Sequence, residues 1–255
     1  MLEDPLALRI LGPETAADIQ NSLDRENNRL SRAMRAFMAV RSRYAEDGLA
    51  QAVERGVSQY VLLGAGLDTF GYRNPFGDRV RVFEVDHPAT QAWKRAQVDA
   101  AGIVVPSSLT YTPVNFERET IMDGLVASGF NPAAPAFFAW LGVTMYLARE
   151  TVMATFRMIA ALPKGSGVAF DYGIEPSMLG FVERMVVAEF SRRVAAIGEP
   201  WTTFFVPSAL DADLKAAGFA DVEDLAPDDI NARYFKDRTD GLAVGTLARL
   251  VKALN

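Results

Sequence analysis

Two glycines and two acids, set about twenty residues apart, are the residues of this chain whose types and spacing can do chemistry. The turn Gly64-Ala65-Gly66-Leu67-Asp68-Thr69 puts glycine at two positions where a missing Cβ lets a ligand come close to the backbone. Phe83-Glu84-Val85-Asp86 then ends a second apolar run with carboxylates, the acceptors that ribose hydroxyls need. Taken alone, the turn serves a purely structural bend equally well. Turn and acid together read as a site for a nucleoside cofactor. Alternation keeps Glu84 and Asp86 on one face of the strand, and either can take the ribose role.

Dinucleotides and S-adenosylmethionine both use this arrangement. A dinucleotide fingerprint asks for a third small residue where the helix packs on the strand, and Thr69 stands there. No tyrosine and lysine one helical turn apart offer a hydride-transfer pair. S-adenosylmethionine carries a carboxylate that a guanidinium clamps in bidentate geometry. Arg41 and Arg43, just before the first strand, are either that clamp or a solvated helix face.

Composition narrows the chemistry further. With no cysteine and one histidine, a thiolate or histidine-built metal site, a disulfide and a serine-histidine triad all lack their residues. No metal site is expected. A net charge of −6 gives no broad basic surface, so neither nucleic acid nor an anionic membrane is an expected partner. Met1 to Gly12 begins acidic, without the basic and apolar regions of a signal peptide, and no apolar run is long enough to span a bilayer; the expected location is the cytoplasm.

These residues need elements to position them. Glu14 to Arg55 has apolar residues at helical spacing, among them Leu30, Met34, Phe37 and Met38. Gln59 to Leu63 reads as a buried strand running into the glycine turn, and Arg79 to Val85 as a second strand. Pro88 to Ala101 reads as a helix, Leu109 to Phe116 as a third strand, Ala136 to Val143 as a central strand, and Arg149 to Leu162 as a helix. Gly167 to Tyr172 is a fifth strand, Pro176 to Ile197 a long helical insertion, and Pro207 to Gly218 a further helix. Asp221 to Leu225 and Gly245 to Leu254 close the chain. Strands alternating with helices predict a parallel α/β sheet with ligands beyond the carboxyl ends of its strands. At 255 residues and 50% hydrophobic composition, one domain is expected over 1–255, with a helical part over 1–56 and an α/β core over 57–255. Helices added before the core must bury an apolar stripe against it, and a segment carrying Arg41 would also close over the cofactor as a lid.

Four strings carry a resemblance. Val40-Arg41-Ser42-Arg43-Tyr44, Leu63-Gly64-Ala65-Gly66-Leu67-Asp68-Thr69, Phe83-Glu84-Val85-Asp86-His87-Pro88 and Trp140-Leu141-Gly142-Val143-Thr144-Met145-Tyr146-Leu147 resemble the leucine carboxyl methyltransferase family. The closer likeness is to its bacterial branch of S-adenosylmethionine-dependent enzymes, common in actinomycetes and related to polyketide O-methyltransferases. It extends to Gly198-Glu199-Pro200-Trp201 and Asn231-Ala232-Arg233-Tyr234-Phe235. The resemblance implies a Rossmann-like class I methyltransferase fold, with a mostly parallel seven-stranded sheet flanked by helices. It implies that Arg41, or Arg43 as the alternative, binds the methionine carboxylate. Gly64, Ala65, Gly66 and Asp68 would underlie the amino acid and ribose, with Asp86 or Glu84 on the ribose hydroxyls. Asn115-Phe116 stands where many relatives have Asp-Leu against the adenine, and asparagine keeps a hydrogen-bonding carbonyl there without the charge. Leu141 replaces a glutamate of the eukaryotic enzymes, which argues against their protein substrate while leaving Leu141 to line the cofactor pocket.

Methyl transfer from a sulfonium is an in-line displacement that needs alignment and dryness, and no nucleophilic side chain. A carboxylate acceptor needs no base, whereas a hydroxyl calls for one. His87 reads as a turn residue bonded locally ahead of general base. Tyr146, Tyr172 and Trp201 can reach an acceptor pocket or pack in the core, and Asp171 is either a substrate contact or a surface cap. The expectation is O-methylation of a small molecule, in secondary metabolism by resemblance. The rival readings are an NAD-dependent oxidoreductase and an S-adenosylmethionine-binding protein without catalysis.

Overall fold

The computed structural model describes residues 2–25, 27–115, 119–196 and 198–255. Seven strands form one sheet: β1 (Gln59–Leu63), β2 (Arg81–Asp86), β3 (Leu109–Pro113), β4 (Phe137–Trp140), β5 (Gly167–Gly173), β6 (Asp221–Leu225) and β7 (Ala248–Leu254). Their order is β3-β2-β1-β4-β5-β7-β6. The first five are parallel, and β7 runs antiparallel to both β5 and β6. Neighbouring β1 and β4 continue the chain to opposite sides, so the crevice between their carboxyl ends is where such a sheet opens to a ligand.

The apolar runs explain why β1 and β4 are central. Tyr60 and Leu62 point to one core with Phe137 and Ala139, and Val61 and Leu63 point to the other with Phe138 and Trp140. A strand buried on both faces has no polar side to alternate, which is the pattern these segments show. Helices α1 (Pro13–Arg25) and α2 (Arg29–Glu54) precede the sheet. Asn28 caps α2 by accepting from Ser31 N, and the helix lays Val40, Tyr44, Leu49 and Ala52 on the first core. Gly48 lets it settle closely on β4, since a Cβ there would lie 2.8 Å from Phe137 Cζ.

Next along the chain come α3 (Phe70–Arg73), α4 (Pro88–Ala100), α5 (Ile121–Ala127) and α6 (Arg149–Ala160), followed by α7 (Phe181–Ala196), α8 (Pro207–Ala217) and α9 (Pro227–Tyr234). The α/β alternation and the mostly parallel seven-stranded sheet therefore match the expectation. Several boundaries differ, each for a local reason. The helical amino-terminal segment is two helices, with the second restarted by the Asn28 cap. The fourth strand ends at Trp140, because Gly142 at φ +71° turns Leu141 to Val143 out of the sheet despite their apolar side chains. The third strand stops at Pro113, and Phe116 lies outside the described residues. The insertion at 176 begins as a 3-10 turn, Pro176–Met178, and only then becomes α7; Ile197 lies outside the described residues. Helices α3, α5 and α9 are additional, and none exceeds eight residues. Among the described residues, no helix is long and apolar enough to cross a membrane.

Candidate functional site

The glycine turn leaves β1 with Gly64 at φ +67° and Gly66 at φ +45°, conformations that favour glycine. A Cβ on Gly64 would sit 2.6 Å from Val143 Cγ2, so the turn after β1 packs directly on the turn after β4. Over Gly66 the space is open: apart from its chain neighbours, no atom of the described residues is nearer than 4.0 Å to a Cβ built there. Asp86, at the end of β2, fixes the turn: its Oδ2 accepts from Gly66 N at 2.6 Å and its Oδ1 from His87 N at 2.7 Å. Each oxygen retains a second lone pair, and the carboxylate is only partly buried. Asp68 also closes the turn by accepting from Phe70 N at 2.7 Å.

Glu84 goes elsewhere. It shares Asp86's face but lies two residues deeper, 1% exposed, with Oε2 2.8 Å from Lys94 Nζ on α4. Lys94 in turn donates to the Asp68 carbonyl at 2.6 Å. Burial pushes the Glu84 carboxyl up to about 7, and Lys94 pulls it only partly back. Its Oε1 has no partner among the described residues and packs where a Cβ on Gly71 would be 2.9 Å away. The expectation that Glu84 competes with Asp86 for ribose is corrected here, because its carboxylate is sealed under α3 and α4 and does not reach the open end of the strand.

Arg41 and Arg43 are also separated. Two positions along a helix turn the side chain through roughly 200°, so the two cannot serve one site. Arg43 is exposed and pairs with Asp47 at 2.7 Å, on an outer cleft with Glu46 and Phe76. Arg41, 21% exposed, faces the carboxyl ends of β4 and β5, with Nη1 3.4 Å from Asp171 Oδ2. A Cβ on Gly142 would lie 2.5 Å from that nitrogen, so glycine is required for the guanidinium to lie over the turn. Apart from Asp171, Arg41 has no hydrogen-bond partner among the described residues.

The remaining sequence candidates divide in the same way. Leu141 is half-buried and packs on the first core beside Gly142. Asn115 follows β3 next to Asp86, whose carbonyl accepts from Val114 N at 2.9 Å. His87 caps α4, its Nδ1 accepting from Ala89 N, and so is the locally bonded turn residue. Tyr146 lies half-exposed in the 3-10 turn after β4, and its hydroxyl has no partner among the described residues. Tyr172 is buried and donates to Asp224 Oδ2 at 2.8 Å on the second core, which removes it from the acceptor pocket. Trp201 packs against Phe190 and Phe204, with Nε1 buried and unpaired. The adjoining Thr202 N and Thr203 N donate to the Met145 carbonyl, tying this aromatic group to the turn after β4.

Sequence reading missed Lys94 and Gly142, and offered Asp171 only as a substrate contact or a surface cap. Asp171 is buried at the end of β5, and is therefore no surface cap. Only Gly142 carried a legible signal, as a lone glycine interrupting an apolar run.

A parallel sheet whose switch point carries a glycine turn, a strand-end acid and a buried-edge guanidinium defines a Rossmann-like nucleoside-cofactor protein. The family model for leucine carboxyl methyltransferase matches residues 1–160. A Bacillus subtilis (strain 168) protein named "Putative S-adenosyl-L-methionine-dependent methyltransferase YktD" is 36% identical over 206 residues, 80% of this chain and 67% of that protein. A Parafrankia relative of the same description is 36% identical over 172 residues, covering 67% of this chain and 53% of its own length. The chain thus spans between about half and two thirds of these relatives. The fold is shared with a duf574 family protein from Streptomyces avermitilis (TM-score 0.59, 15% identity, 98% of this chain and 95% of that one). It is also shared with the apo methyltransferase SibL (TM-score 0.54, 15% identity, 86% and 56%). The chain belongs to the leucine carboxyl methyltransferase family of S-adenosylmethionine-dependent enzymes, and S-adenosylmethionine is its cofactor.

Proposed function

We propose that this chain, acting as one domain, transfers the methyl group of S-adenosylmethionine to an oxygen of a small molecule, with a carboxylate as the favoured acceptor. One observation carries the choice of acceptor: among the described residues, the carboxylates and the histidine named at the crevice are already engaged. His87 caps α4, Glu84 is paired with Lys94, Asp171 with Arg41, and Asp86 holds the glycine turn. With these groups engaged, and Tyr146 contributing an unpartnered hydroxyl only, the described residues suit an acceptor that needs no base.

The residues present fit the cofactor. Open space over Gly66 admits a nucleoside against the backbone, and the spare lone pairs of Asp86 suit a ribose diol. In this reading the Arg41 N–H groups beyond Asp171 suit the methionine carboxylate, Leu141 and Ala65 give apolar walls, and Asn115 takes the adenine. S-adenosylmethionine supplies an activated methyl group when bound. What the chain must do is hold the acceptor in line and keep water out. Tyr146 and the aromatic group around Trp201 take the acceptor contact in this reading, and the amino-terminal helices α1 and α2 act as the lid. The cytoplasm and a role in secondary metabolism complete the proposal, the latter from the resemblance to polyketide O-methyltransferases.

The test is release of S-adenosylhomocysteine across a panel of small carboxylates, phenols, alcohols and amines. Turnover with carboxylates across pH 6 to 9 without a basic limb supports the reading. Turnover confined to amines contradicts it.

A further inference from the structure

Asp171 ties the site together. Its side chain is 1% exposed, at the carboxyl end of β5 on the face that meets α2. Oδ1 accepts from Gly142 N at 2.5 Å, Oδ2 accepts from Arg41 Nη1 at 3.4 Å, and its main-chain carbonyl accepts from Thr144 Oγ1 at 2.8 Å. One residue therefore fixes the turn after β4 and the guanidinium lying over it. Holding Gly142 N alone needs only an acceptor oxygen, which asparagine has. A buried charge is costly unless it is paired, and the group that makes the charge useful here is Arg41.

We propose that Asp171 is the positioning residue for Arg41. It anchors one nitrogen of the guanidinium, while Gly142 leaves room for the group to lie over the turn; Nε and Nη2 remain for a ligand carboxylate. Bidentate recognition depends on the plane of the guanidinium being set beforehand, and a second anchored edge sets it. The inference rests on the assignment of Arg41 to the cofactor carboxylate.

The test is calorimetric titration with two ligands, S-adenosylhomocysteine and 5′-methylthioadenosine. The second keeps the nucleoside and thioether but has no amino-acid group. The proteins are wild type, Asp171→Asn, Asp171→Glu, Arg41→Ala and the Asp171→Asn/Arg41→Ala double variant. Asp171→Asn should weaken S-adenosylhomocysteine about tenfold and 5′-methylthioadenosine by less than about twofold, with no further loss in the double variant. Asp171→Glu should recover part of the loss. Equal weakening of both ligands, an unfolded Asp171→Asn protein, additive losses in the double variant, or unchanged S-adenosylhomocysteine affinity would each overturn the inference. If Arg41→Ala itself binds S-adenosylhomocysteine like wild type, the Arg41 assignment falls as well, a result distinguishable from failure of Asp171→Asn alone.

Discussion

Lys94 and Glu84 sit beneath the glycine turn, and the burial of Glu84 makes stability depend on pH. The folded carboxyl is raised to about 7 from an ordinary value of 4.5, chiefly by burial. The native protein therefore holds that proton more tightly than the unfolded chain, and stability from this group falls as pH rises from 4.5 through about 7. Lys94→Met strands the carboxylate. We predict a loss of about 3 kcal/mol at pH 8, shrinking below about 1 kcal/mol at pH 5, where Glu84 takes up a proton. Urea unfolding at the two pH values checks this; an equal loss at both would show that the pair carries no charge coupling. The two residues also mark the limits of reading at this scale. Asp86 was legible because an acid ending an apolar strand beside a glycine turn has few other uses. Glu84 was misread because alternation gives the face and not the depth, and Lys94 was passed over because a lysine in a helix looks solvated. Asp171 looked like any polar residue at a strand end until its partner on α2, 130 positions earlier, was in place.

At the scale of elements, apolar runs located β1 and β4, since a strand buried on both faces has an unmistakable composition, while β2 was read from apolar residues alternating with charged ones. Boundaries went astray where one backbone angle overrode side-chain type, as at Gly142. The short helices were hidden because one or two turns give too little periodicity to register; α9 depends on Pro227 at its start and on Asp229 accepting from Ala226 N. The placement of α2 matters most for function, because it sets Arg41. Gly48 is a point of close approach to the sheet. Gly48→Val should force α2 away from Phe137, destabilise the protein by about 2 kcal/mol in thermal or urea unfolding, and weaken S-adenosylhomocysteine binding in parallel. A neutral substitution would mean that α2 docks without that contact.

For the whole molecule, the strand order brings turns that lie far apart in sequence to one crevice. Gly64 to Gly66 follow β1, Asp86 ends β2, Gly142 follows β4 and Asp171 lies near the carboxyl end of β5. That convergence was predictable from α/β alternation alone, because parallel strands end on one side. The chemistry of the acceptor was not, since the walls proposed for it come from α7 and the loop at Trp201, whose aromatic residues are indistinguishable by type from core.

The central claim is that this crevice binds S-adenosylmethionine through Arg41 and Asp86. Titration calorimetry of the purified protein with S-adenosylhomocysteine and with NAD, repeated for Arg41→Ala, Asp86→Ala and Arg43→Ala, tests it most directly. Saturable binding of S-adenosylhomocysteine is predicted, weakened at least about tenfold in the first two variants and unchanged in Arg43→Ala, with no binding of NAD. Binding of NAD in its place, no binding by the folded protein, or a loss in Arg43→Ala alone would contradict the account.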